Sequence, residues 1–335
     1  MPKLKMLRYD DGFWPNLWAL LYVLCGYVTG WSLFFTGSFF FYPLAILLLA
    51  HSMVIAAYLL HECAHGTIFN DSHWNANLGR VLMWVTGSCY GTYEEIRHKH
   101  FRHHVDKADV VAFDYRPRLA RFPGLVKVMQ ILEWMYIPAL EIMMHLLVIV
   151  LPFTMENRRH KHKHVISVLL IRGALFTVIF LTKPIAILLY IVAYLLFLTV
   201  MRFMDVHQHT YEIFETLDEP RDARAKQFDR VYEQRNTFSN LISQRYPWLN
   251  LLVLNFGYHN AHHKKPTIPW YRLPELHRQL YGDDQQQIFP FINLLKSYHQ
   301  YRVPRMLNAD EGDIEGLDKG RRFIGVDGVS FLTAH

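Results

Sequence analysis

Apolar residues gather in paired blocks along the chain. From Gly12 to His61 there is no Asp, Glu, Lys or Arg. That run suffices for two membrane-crossing helices, each needing ~20 apolar residues. The pattern predicts a first span at 14–35, a turn at Thr36-Gly37-Ser38, and a second span at 39–60 that leads straight into His61. A second pair is predicted at 166–182 and 185–203, joined through Lys183-Pro184. Arg172 interrupts it, and a charge near the bilayer centre costs ~2.5–3.5 kcal/mol. The stretch 122–153 is also apolar, but Lys127, Glu133 and Glu141 punctuate it and Pro138 breaks it.

Parity decides how to read that last stretch. If it crossed the membrane as well as both halves of the second pair, the histidines at 259–263 would face the opposite side from those at 61–104. The alternative of one crossing at 122–153 and one at 166–203 puts Arg158-Arg159-His160-Lys161-His162-Lys163 on the far side, against the positive-inside tendency. The expectation is therefore an all-α integral membrane protein: four transmembrane helices in two hairpins, an interfacial or re-entrant segment at 122–153, and a cytosolic helical cap. Both termini then lie on the cytoplasmic side. Residues 1–303 form one domain, and 304–335 a weakly ordered tail in which Asp310, Glu311, Asp313 and Glu315 cluster.

Composition agrees with a membrane protein: 52% of residues are apolar and 15% aromatic. The net charge of +6 is concentrated in Lys3, Lys5 and Arg8 and in Arg158, Arg159, Lys161 and Lys163. These clusters flank apolar segments, as topology signals and lipid-headgroup contacts do. No recognition motif accompanies the charge, so nucleic acid is not the expected partner. The cysteines Cys25, Cys63 and Cys89 give no disulfide framework. The first apolar run is too long for a signal peptide.

The chemistry lies in three histidine boxes: His61-Glu-Cys-Ala-His65, His100-Phe-Arg-His103-His104 and His259-Asn-Ala-His262-His263. Residues three and four apart share a helix face, so each box can aim its rings at one point. Imidazole suits iron, zinc and copper. Eight imidazoles exceed the four of a tetrahedral ion and are a natural supply for two ions. The first box alone matches the H-E-x-x-H pattern of zinc proteases, with Glu62 as water activator. A single HxxHH beside Arg97, Lys99 and Arg102 can equally be a solvated basic face. Three boxes, each just beyond an apolar segment, favour a shared metal site.

The boxes, their order and their placement against paired spans resemble the membrane fatty acid desaturase superfamily, over roughly residues 13–285. His65-Gly66-Thr67 and the tract Asn255-Phe-Gly-Tyr-His259-Asn-Ala-His-His263, followed by Pro266 and Pro269-Trp270, are similar to acyl-lipid and sphingolipid desaturases. The resemblance implies a non-haem di-iron centre held by His61, His65, His100, His103, His104, His259, His262 and His263. It also implies a further histidine after the last span, expected to be His209 rather than His207. Asp205, His207 and Asn255 are candidates to orient the ligands. Glu94, Glu95, Asp106 and Asp109, which bracket box two, are further candidate partners for ligand N–H groups.

On the same basis the expected activity is O2-dependent introduction of a C=C bond into a fatty acyl chain. Alternatives are a hydroxylase of the superfamily, acting on an alkane, fatty acid or carotenoid, and the zinc protease read from box one. The substrate is expected to be a membrane lipid or acyl thioester. No dinucleotide, haem-attachment or iron–sulfur motif occurs. Electrons must therefore come from a separate ferredoxin, rubredoxin or cytochrome b5-type carrier and its reductase.

Overall fold

The computed structural model describes residues 6–217, 222–308, 312–314 and 319–333. Of the charges singled out above, Lys3, Lys5, Asp310, Glu311 and Glu315 lie outside the described residues. The chain divides into two compact units. One is Met1–Glu94 with His145–Val200, the other Glu95–Met144 with Met201–Ala334.

The first unit holds the long apolar helices. The helices are α1 (Phe13–Phe35), α2 (Tyr42–His65), α3 (Ser72–Thr86), α8 (His162–Thr182) and most of α9 (Pro184–Asp205). Four helical stretches, Phe13–Phe35, Phe39–His65, Glu156–Thr182 and Pro184–Asp205, are long and apolar enough to cross a membrane. They match the four predicted spans. Helix α2 runs five residues past the predicted end because no breaker intervenes before Gly66, which ends it in the left-handed conformation at φ 66°. Gly26 and Gly30 lie where α1 meets α2. A Cβ at Gly26 would strike Ser52, and one at Gly30 would sit 3.1 Å from the Ala45 carbonyl and from Leu49. Such glycines let membrane helices approach closely.

Arg172 is accommodated rather than left bare in apolar surroundings. Its guanidinium donates to Tyr190 Oη at 3.2 Å and to Cys89 Sγ at 3.6 Å. It also lies over the rings of Tyr90 and Phe176, where cation–π attraction offsets part of the desolvation. His164, next after the basic run 158–163, has Nε2 3.0 Å from the Cys89 carbonyl.

The segment 122–153 forms two helices, α6 (Pro123–Trp134) and α7 (Ala139–Thr154). Tyr136, at φ 63°, and Pro138 separate them. At 1.5 Å per residue α7 is ~24 Å long, short of the ~30 Å hydrocarbon core.

The second unit carries box two on α4 (Tyr93–Asp106) and box three on α11 (His259–Lys264). Between them lie the short helices α5 (Arg116–Leu119) and α10 (Arg230–Arg235). Strand β1 (Asp109–Val111) pairs in parallel with β2 (Phe214–Thr216), placing Asp109 opposite Phe214. The buried Arg102 guanidinium bridges Asp106 of its own helix and Glu215 of β2, which ties α4 to the segment following His209.

The tail departs from expectation. Residues 319–333 are not loosely ordered: Phe323, Leu332 and Thr333 are buried. Lys99 Nζ, on α4, donates to the carbonyls of Ser330 at 2.6 Å and Thr333 at 3.0 Å. Asp327 accepts from the buried Arg202. The acidic cluster at 310–315 suggested a solvated tail, but the tail also supplies the partners that two buried cations need.

Candidate metal centre

Box one occupies the last turn of α2. The rings of His61 and His65 meet edge-on with centroids 4.7 Å apart. Glu62 is turned into its own turn: Thr67 Oγ1 donates to Glu62 Oε2 at 2.6 Å. Glu62 Oε1 lies 3.7 Å from His61 Nδ1. Tyr93 Oη donates to the Cys63 carbonyl at 2.6 Å and fixes the end of α2 between the two histidines.

Boxes two and three and His209 converge within the second unit. The helical spacing of α4 separates its histidines into two sets. His103 joins His209, His259 and His263, with ligand atoms all within 4.8 Å of one another. His103 Nε2 lies 3.0 Å from His209 Nε2, and His259 Nε2 lies 2.7 Å from the same atom. His100 and His104 form the second set with His262, at Nε2–Nε2 distances of 3.1 and 3.2 Å from His104. His104 is half-buried and His262 buried.

Burial keeps these rings neutral. Desolvation pulls His103 down to about 4, opposed by its hydrogen bond to the Ala108 carbonyl. Desolvation pulls His262 to about 3 and places His209 and His263 well below the usual imidazole range. A neutral imidazole is the form that offers a lone pair to a metal.

The partners of Nδ1 show where those lone pairs point. His103 Nδ1 donates to the Ala108 carbonyl at 2.8 Å. His209 Nδ1 lies 3.4 Å from Thr237 Oγ1, and His263 Nδ1 lies 3.1 Å from Glu233 Oε1. With the Nδ1 protons used in this way, Nε2 of His103 and Nε2 of His209 carry lone pairs that face each other at 3.0 Å. Two lone pairs at that distance repel unless a cation lies between them. His263 Nε2 is likewise buried and, among the described residues, has no hydrogen-bond partner. This donor set fits a transition metal bound through imidazole.

Asp205, His207 and Asn255, the residues expected beside the histidines, are placed as follows. Asp205 is half-buried, and among the described residues it is Thr237 whose Oγ1 lies 3.4 Å from His209 Nδ1. His207 packs among the rings of Phe203, Tyr298 and Phe323. It lies outside the histidine groups, so of the two histidines after the last span His209 is the one brought to the cluster. Asn255 donates to the Trp270 carbonyl at 3.2 Å and adopts φ 59°, holding a turn rather than a ligand. Glu94 pairs with Arg80, and Asp106 with Arg102. Glu233, Thr237 and Tyr211 were missed because only tertiary folding brings them to the rings. The one local signal is the i, i+4 spacing of Glu233 and Thr237.

Four helices long and apolar enough to cross a membrane, together with histidine clusters that could hold a metal ion, define a helical, histidine-rich protein of membrane type. Comparison with known proteins narrows this. The fatty acid desaturase family matches residues 37–293; the chain belongs to that family, whose members are oxidoreductases. A sphingolipid delta(4)-desaturase of Candida albicans (strain SC5314 / ATCC MYA-2876) is 61% identical over 33 residues. That stretch covers 10% of this chain and 9% of the relative's length, so the likeness is local.

Proposed function

We propose that the protein is an O2-dependent lipid acyl desaturase whose centre takes two irons. The observation that carries this reading is the 3.0 Å approach of His103 Nε2 to His209 Nε2 within a group of four histidines. That group, with His259 and His263, would hold one ion. His100, His104 and His262 would hold the other, and the family resemblance adds His61 and His65 to them. Bound iron, once reduced, would supply the O2 chemistry that removes hydrogen from an unactivated C–H bond, which side chains cannot do.

The chain's own share is binding, orientation and exclusion. Buried Nε2 atoms hold the ions, the Nδ1 partners fix the rings, and burial keeps bulk water from the centre. The substrate is a membrane lipid or acyl thioester, and the local likeness to a sphingolipid desaturase favours a lipid. Electrons come from a separate one-electron carrier of ferredoxin, rubredoxin or cytochrome b5 type. The site and both termini lie on the cytoplasmic side, as the basic residues flanking the spans imply.

The test is expression in a host without the activity, with lipid profiling and metal analysis, wild type beside His103→Ala. A new double bond made by the wild type alone, with iron bound, supports the reading. An alcohol product would move the reaction to hydroxylation. Bound zinc without iron would overturn the oxidative reading altogether.

A further inference from the structure

Helix α10 is only six residues long, yet the rings of two candidate ligands are held from it and its C-terminal flank. Glu233 Oε1 lies 3.1 Å from His263 Nδ1. Thr237, four residues on, has Oγ1 3.4 Å from His209 Nδ1. The single hydroxyl proton of Thr237 is already committed, since Oγ1 donates to the Glu233 carbonyl at 2.7 Å. Toward His209 and toward Tyr211 Oη, 3.0 Å away, that oxygen therefore accepts. An ionised carboxylate also only accepts. With Glu233 ionised, both rings carry their proton on Nδ1 and their lone pair on Nε2, and among the described residues the buried His263 Nε2 has no hydrogen-bond partner.

We propose that Glu233 and Thr237 are positioning residues that fix the tautomer and orientation of His263 and His209 toward a divalent transition metal. Glu233 also lends negative charge to the His263 ring and makes it a stronger donor, as a carboxylate behind a metal-bound imidazole does. The arrangement is economical in sequence: one side chain holds one ring, and the same residue's backbone carbonyl directs the hydroxyl that holds the other. The inference rests on the proposed metal-holding role of the four-histidine group.

Glu233 also lies within 4.8 Å of donor atoms of both His104 and His263, so the test must separate positioning from direct ligation. Full-length protein in detergent is stripped of metal and titrated with Co(II) against a chelator, with visible absorption followed. Glu233→Ala and the isosteric Thr237→Val are each expected to weaken one of two Co(II) ions by about 10- to 100-fold and to spare the other. Glu233→Gln and Thr237→Ser keep an acceptor oxygen and are expected to retain both ions, with Glu233→Gln shifting the visible band. Wild-type affinity in both Glu233→Ala and Thr237→Val would overturn the proposal. So would a loss in Glu233→Gln as large as in Glu233→Ala, because that would make the carboxylate a ligand. Failure of the wild type to take up two ions would instead sink the two-metal reading itself.

Discussion

The Arg202 guanidinium lies 2.7 Å from the Glu133 carboxylate, and both side chains are buried. Asp327 completes the arrangement, accepting from Arg202 Nε at 2.8 Å. One cation thus joins the end of α9, the end of α6 and the C-terminal segment. Arg202→Met should be strongly destabilising, by ~3–5 kcal/mol, because it strands two buried carboxylates. Thermal unfolding in detergent measures this. The exposed Arg80–Glu94 pair is the control: Arg80→Met should cost ~1 kcal/mol or less.

A second prediction separates two neighbours in sequence. His209 belongs to the four-histidine group, whereas His207 packs among aromatic rings. His209→Ala should weaken metal binding by at least about 10- to 100-fold and abolish product formation. His207→Phe, which keeps an aromatic ring in this packing, should retain both metal and activity. Metal analysis and lipid profiling of the two variants decide it; equal losses in both would refute the assignment.

How much of this was legible in the sequence follows from the range of each interaction. The boxes were readable because i, i+3 and i, i+4 spacing is local, and the spans because hydropathy is local. The split of box two was not: His103 faces one group and His100 and His104 the other, and this depends on where His209 and His262 fold back. Glu233 carries no local signal beyond its helix. Arg172 read as a flaw in a span because its partners, Cys89 and Tyr190, are distant in sequence. The tail was misjudged for the same reason, since Lys99 and Ser330 are 231 residues apart.

Asp109 gives a pH prediction. Burial raises its carboxyl from 3.8 to about 7, with Arg116 opposing the shift. A folded-state pKa above the unfolded one means that the fold favours the protonated acid. Its contribution is complete below about 4 and is lost as pH rises through about 7. Asp109→Asn removes that loss. The variant should therefore gain stability over wild type as pH rises from 5 to 8, by a few kcal/mol at most on the order expected for such a shift. Denaturation at the two pH values checks the sign; a variant advantage that shrinks toward pH 8 would contradict it.

Gly325 is the position at which the C-terminal segment is least replaceable. It adopts φ +74°, and a Cβ there would overlap the carbonyl of Val206. The left-handed conformation alone costs a residue with a side chain ~1–2 kcal/mol. The overlap cannot be relieved by a rotamer change, because the obstacle is backbone. That backbone belongs to the stretch leading from α9 to His209, three residues on. Gly325→Ala should therefore lower the unfolding midpoint and also reduce metal content, although residue 325 is in none of the histidine groups. Gly124→Ala, where a Cβ meets nothing within 4 Å, should do neither. If Gly325→Ala lost stability but bound metal with wild-type affinity, the packing of this segment on Val206 would matter to the fold without setting the position of His209.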